Sequence, residues 1–156
     1  MLYVFDTSSL REVGNMSPAF FPTFWEQFDE QVAAGAIVSV KEALKEVEGL
    51  NTKEHLEAWT KVNAGLFRVP TPEEMMFVRE IFLVRKFQEM IRKQQRLQGM
   101  PVADPFLIAA AKIGNGCVVT EEKVRRNGAQ IPNVCAHFDV ECINFEGFLE
   151  QQGWSY

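Results

Sequence analysis

Leu2-Tyr3-Val4-Phe5 is an uninterrupted apolar run of strand-forming residues that stops abruptly at Asp6. A short run without polar alternation predicts a strand buried on both faces, and such strands belong to parallel sheets covered by helices. Four more segments read as strands: Ala36-Ile37-Val38, Leu66-Phe67-Arg68-Val69, Cys117-Val118-Val119-Thr120 and Val140-Glu141-Cys142-Ile143, with Val134-Cys135 as a further short one. The run at 66–69 is closed by Pro70 and Pro72.

Helical patterns fall between these runs. Phe21, Phe24, Trp25, Phe28 and Val32 form one stripe over about residues 22–34, with Pro22 at the entry and Gly35 as the stop. Ser39 followed by Glu42 is a capping-box pattern opening a helix to Glu48. A further helix is expected from Lys53 to Ala64. Phe77, Ile81, Val84, Phe87 and Ile91 predict one long helix or helical hairpin over 73–97, where no Gly or Pro intervenes. Asp104 at a cap and Pro105 at the first helical position open a buried helix through Ala111, and a last helix is expected near 145–151. Strands alternating with helices predict an α/β fold of three α/β/α layers. The central sheet would be mostly parallel, with four to five strands, in a single domain over 1–156.

The 47% apolar content supports one packed domain, and no stretch is long and apolar enough for a membrane span. Asp6 comes too early for a signal-peptide core, so a cytoplasmic protein is expected. Cys117, Cys135 and Cys142 show no C-x-x-C spacing and read as buried reduced thiols. The net charge of −5 repels phosphate on average, so a nucleic-acid partner would need a local basic patch or a metal ion.

In an open α/β sheet ligands bind beyond the carboxyl ends of the strands, and acids occupy those positions here. Asp6 follows the first strand, Glu46 lies two turns into the helix after the second, Asp104 opens a helix, and Glu121-Glu122 follow the Cys117–Thr120 strand. Periodicity does not choose between Glu46 and Glu48, and Glu42 is assigned to the capping box. Two carboxylates about 5 Å apart at an effective dielectric of about 20 repel by about 3 kcal/mol, so a cluster needs a cation. Oxygen donors without nearby His or Cys favour Mg²⁺ or Mn²⁺, whose bound water can attack a phosphodiester.

At these residues the chain resembles the PIN-domain family of metal-dependent ribonucleases, which includes the toxins of VapBC-type toxin–antitoxin pairs. Val4-Phe5-Asp6-Thr7-Ser8-Ser9-Leu10 resembles the family's opening strand and first acid, and Ile37-Val38-Ser39 through Glu46 resembles its second strand and the helix bearing its Glu. Asp104-Pro105-Phe106-Leu107-Ile108-Ala109-Ala110 is similar to the third-acid motif, and Val118-Val119-Thr120-Glu121-Glu122 to the strand carrying the fourth. The resemblance implies that Asp6, Glu46, Asp104 and Glu122 are catalytic metal ligands for Mg²⁺ or Mn²⁺. Glu122 would stand where the family more often has Asp, with Glu121 its competitor. It implies that Ser8 is an orienting hydroxyl, that RNA is the substrate, that a cognate antitoxin masks the site and that the chain forms a homodimer. Neither His55 nor His137 is needed as a base.

Cations must meet the phosphates. Lys123, Arg125 and Arg126 adjoin the fourth acid and are read as RNA contacts. Arg79, Arg85, Lys86, Arg92, Lys93 and Arg96 against Glu80 and Glu89 are read mainly as a solvated helix face. Two alternatives stand beside the nuclease. A haloacid-dehalogenase-like phosphatase would want a second Asp where Ser8 stands. A catalytically degenerate PIN-like interaction module would dock a partner through the aromatic helix at Phe21–Phe28.

Overall fold

The computed structural model describes residues 1–49, 52–90 and 102–156. Among them, β1 (Tyr3–Phe5), β2 (Ile37–Val40), β3 (Phe67–Arg68), β4 (Cys117–Val119) and β5 (Glu141–Ile143) form one sheet in the order β3-β2-β1-β4-β5. Every neighbouring pair is parallel. The helices are α1 (Thr7–Gly14), α2 (Pro22–Ala33), α3 (Lys41–Val47), α4 (Glu54–Val62), α5 (Pro72–Leu83), α6 (Asp104–Ile113), α7 (Ile131–His137) and α8 (Phe145–Gln152). The architecture is therefore α/β, with a parallel central sheet between helical layers, as the apolar runs predict.

Side chains alternate along β1, so Tyr3 and Phe5 share one face of the sheet. Tyr3 meets Phe148 edge-on with ring centroids 4.9 Å apart, and Phe5 meets Phe148 at 5.0 Å and Phe28 at 5.6 Å. Phe24, Trp59, Phe145 and Trp154 extend this aromatic layer beneath α2, α4 and α8. The opposite face is covered by α6, which packs on β1, β2 and β4 and against α5 and α7. Leu107, Ile108, Ala109 and Ala111 of α6 are all buried. Phe24, Trp25 and Phe28 are likewise buried, so these three aromatics of the expected docking helix pack into the core while Phe21 is partly buried.

Several local expectations give way to tertiary contacts. The Ser39–Glu42 capping box does not form: Ser39 belongs to β2, its hydroxyl donates to the Phe5 carbonyl at 2.7 Å, and α3 starts without a side-chain cap. Pairing of Ser39 and Val40 with Phe67 and Arg68 keeps that backbone extended. The long helix ends at Leu83, because Val84 turns to an extended conformation (φ −82°, ψ 110°). This turn delivers Phe87 into the core against Phe138 and His137, and that burial outweighs continued helix. Residues 91–97 of the expected helix lie outside the described residues. Val134 and Cys135 sit in α7 rather than a strand, with Pro132 in its first turn and Ile131, Val134 and Cys135 forming a buried face at helical spacing. His137 is the last residue of this helix. Asp104 is the first residue of α6, not its cap, which is Ala103.

The three thiols are free and differ in their surroundings, Cys117 and Cys135 being buried and Cys142 half-buried. Burial pushes the Cys117 thiol up to about 12. A hydrogen bond with Cys142 raises Cys135 further, and the same bond lowers half-buried Cys142. Only thiolate is nucleophilic. Iodoacetamide at pH 8 is thus expected to alkylate Cys142 alone in the native protein, read as a single adduct by intact mass and located by peptide mapping. Early labelling of Cys117 or Cys135 would contradict this ordering.

Candidate active site

The sheet order reverses between β1 and β4, so the crevice at their carboxyl ends is the position at which such folds bind ligands. Phe5 pairs with Val119, which sets Asp6 and Thr120 side by side. The Asp6 amide donates to Val119 O at 3.1 Å, and the Ser9 hydroxyl donates to the same carbonyl at 2.7 Å. Asp6 caps α1: its backbone is extended and its carboxylate accepts the Ser9 amide at 2.8 Å. This helix is missing from the sequence prediction although Asp6 is a favoured N-cap type and Leu10 and Val13 share its buried side.

The Asp6 carboxylate is 4% exposed and heavily hydrogen-bonded. Thr120 Oγ1 donates to Oδ2 at 2.5 Å, and Ser8 Oγ lies 2.8 and 2.9 Å from the two carboxylate oxygens, sharing its proton between them. Each hydroxyl also accepts a backbone amide, Ser8 from Glu121 at 2.9 Å and Thr120 from Glu122 at 3.1 Å. Two amides are thereby relayed through hydroxyls onto one carboxylate, a chain in which each bond polarises the next. Burial nevertheless holds the Asp6 carboxyl above its usual value, with the bonds from Thr120, the Ser9 amide and Ser8 pulling the other way.

Asp104 is 7% exposed at the start of α6 and lines a groove of about 650 Å³ together with Glu122. Lys86, Arg125, Arg126 and Gln130 line the same groove. Glu121 is drawn elsewhere: its carboxylate accepts the Phe145 amide at 2.8 Å at the start of α8. Of the two adjacent acids it is Glu122 that lines the groove with Asp104. Glu46 is reached through α1, accepting the Thr7 hydroxyl at 2.7 Å, while Arg11 donates to the Glu46 carbonyl at 3.0 Å. The structure thus brings Asp104 and Glu122 onto one groove, ties Asp6 to that strand end through Thr120, and holds Glu46 beside Thr7. Arg125 and Arg126 line the groove; Lys123, also exposed, is not among its lining residues.

Among the described residues no three His, Cys, Asp or Glu side chains converge to hold a metal ion unaided. Mg²⁺ is commonly held by one or two carboxylates, with waters and substrate phosphates completing its shell. The Asp104–Glu122 pair on an open groove suits that mode, and the donors are all hard oxygens. A cation nearby would also offset the cost of the buried Asp6 charge.

Thr120, Thr7 and Lys86 were not singled out from the sequence. Thr120 ends an apolar run just as Asp6 does, which is a usable signal once β1 and β4 are known to be neighbours. Lys86 looked like one cation among several on a helix, and only the break at Val84 turns its segment toward the groove.

A family model described as Domain of unknown function (DUF4411) matches residues 3–156. No curated protein matches the chain. Among solved structures it is similar to the crystal structure of PAE2754 from Pyrobaculum aerophilum, with 14% identity, 97% of this chain and 96% of that chain covered, and a TM-score of 0.46.

Proposed function

The chain belongs to the DUF4411 family, and for this member we propose a Mg²⁺- or Mn²⁺-dependent endoribonuclease that cleaves RNA phosphodiesters. The observation that carries the reading is the burial of two carboxylates, Asp6 and Asp104, at the crevice end of a parallel sheet, beside a groove lined by Lys86, Arg125 and Arg126 together with Glu89, Asp104 and Glu122. Acids are seldom buried this fully for packing alone.

In this reading Asp6, Glu46, Asp104 and Glu122 are the acidic set, with Asp104 and Glu122 facing the groove and Ser8 and Thr120 fixing the Asp6 carboxylate. A hard divalent ion, when bound, supplies Lewis acidity toward the phosphate and a water of lowered pKa. Arg125, Arg126 and Lys86 pair with phosphates along the groove, which brings the scissile group toward Asp104 and Glu122 on the same lining. The wider biological assignment rests on the resemblance to PIN-domain toxins: a cytoplasmic, homodimeric toxin masked by a cognate antitoxin. A partner segment carrying Arg or Lys would complement the chain's acidic balance. Among the described residues no helix is long and apolar enough to cross a membrane.

Mn²⁺ titration by calorimetry tests the site without a choice of substrate. Saturable binding to the wild type, weakened at least about tenfold in Asp104→Asn, is the expected result. Binding of equal strength to both proteins would remove Asp104 from the metal site and, with it, the basis of the nuclease assignment.

A further inference from the structure

We propose that Asn133, in the first turn of α7, is a positioning residue that holds Arg125 at the groove rim for contact with a substrate phosphate. The inference rests on the nuclease reading above. Residues 121–130 run from the end of β4 to α7 without helix or strand, and positions 123–127 are exposed. A cation on such a segment ordinarily samples many positions and loses that freedom when it binds.

Arg125 is held differently from its neighbours. Asn133 Oδ1 accepts the Arg125 amide at 3.0 Å, and Asn133 Nδ2 donates to the Arg125 carbonyl at 2.7 Å. One side chain therefore satisfies both backbone groups of one residue. The Gly128 amide adds a bond to the same carbonyl at 2.9 Å, closing a tight turn in which Asn127 takes a left-handed conformation (φ 55°). A Cβ at Gly128 would stand 3.0 Å from both Arg125 Cβ and Arg125 O, so the turn is fitted closely around this arginine.

The clamp is anchored. Ile131, Val134 and Cys135 on α7 are fully buried, so Asn133 projects from a fixed base. A carboxamide is the head group that presents an acceptor and a donor together; Asp would keep the first bond and lose the second. The residue it holds is also a groove-lining cation, in the same cavity as Asp104 and Glu122. A clamp whose purpose was the loop alone would have no reason to coincide with it.

The test is a double-mutant cycle read by fluorescence anisotropy of a labelled single-stranded oligoribonucleotide in EDTA, where no cleavage proceeds. Arg125→Ala is expected to weaken binding about tenfold and to lower the salt dependence by about one phosphate contact. Asn133→Ala, which removes no charge, is expected to weaken binding several-fold and to lower the salt dependence in the same direction. The double variant should bind no more weakly than Arg125→Ala, because Asn133 acts through Arg125. Asn133→Gln, which keeps donor and acceptor on an arm one methylene longer and adds no charge, should fall between wild type and Asn133→Ala. It also serves as the folding-tolerant variant. Wild-type affinity and salt dependence in both Asn133 variants, or additive losses in the double variant, would overturn the positioning role while leaving the nuclease reading standing. Absence of binding by the wild type would overturn the reading of the groove, and this inference with it.

Discussion

Asp6→Asn is expected to abolish metal-dependent RNA cleavage, a loss of at least about 100-fold, without loss of the fold. Asn is as good a helix N-cap as Asp, so the bond from the Ser9 amide at the start of α1 survives. Thr120 and Ser8 hydroxyls can accept from the new amide where they donated to the carboxylate. What disappears is a buried negative charge. Burial raises the folded-state carboxyl above its ordinary value of 3.8, so between 3.8 and the raised value the folded chain binds more protons than the unfolded one. In metal-free protein stability therefore falls as pH rises through that window and stays lower above it. Asp6→Asn lacks this loss, and its melting temperature at pH 7 should equal or exceed that of the wild type. Melting curves from pH 4 to pH 8, paired with a cleavage assay in Mn²⁺, check both parts. Full activity in the purified variant would remove Asp6 from the site, and a steep drop in melting temperature would mean that the hydrogen-bond chain outweighs the cost of the charge.

Phe148→Ala carries the largest expected effect on stability, a destabilisation of about 3–5 kcal/mol. Its ring is fully buried and contacts Tyr3 at 4.9 Å, Phe5 at 5.0 Å and Trp154 at 5.5 Å. Phe28 and Phe145 flank it at 6.4 and 6.3 Å. These neighbours come from β1, α2, α8 and the C-terminal segment, so none can close the void without moving a whole element. Urea unfolding should show a lower midpoint with an unchanged slope. A cost below about 1 kcal/mol would show that the aromatic layer collapses around the void, contrary to a jigsaw-packed core.

The parallel sheet was legible because its central strands β1 and β4 are continuous apolar runs and β2 is broken only by Ser39, a local signal that needs no knowledge of the partner. Asp6 and Asp104 were legible for the same reason, since each stands where an apolar segment begins or ends. Ser39–Glu42 misled because a capping box and a strand end share the same residue types, and pairing with Phe67 and Arg68 decided for the strand. The 73–97 pattern misled only as one continuous helix, because helical spacing persists through Val84 while the burial of Phe87 redirects the chain.

The amino-acid sequence by itself determined the class of fold and the placing of acids at strand ends, because burial period and chain punctuation act within a few residues. Only the tertiary structure decided which acids share a groove. Thr120 reaches Asp6 across 114 positions because β4 lies beside β1, Glu121 turns away because the start of α8 needs an acceptor, and Glu122 is left to share the groove with Asp104. Such choices depend on strand order and on which polar group is satisfied first, and neither is written in any local stretch of the chain.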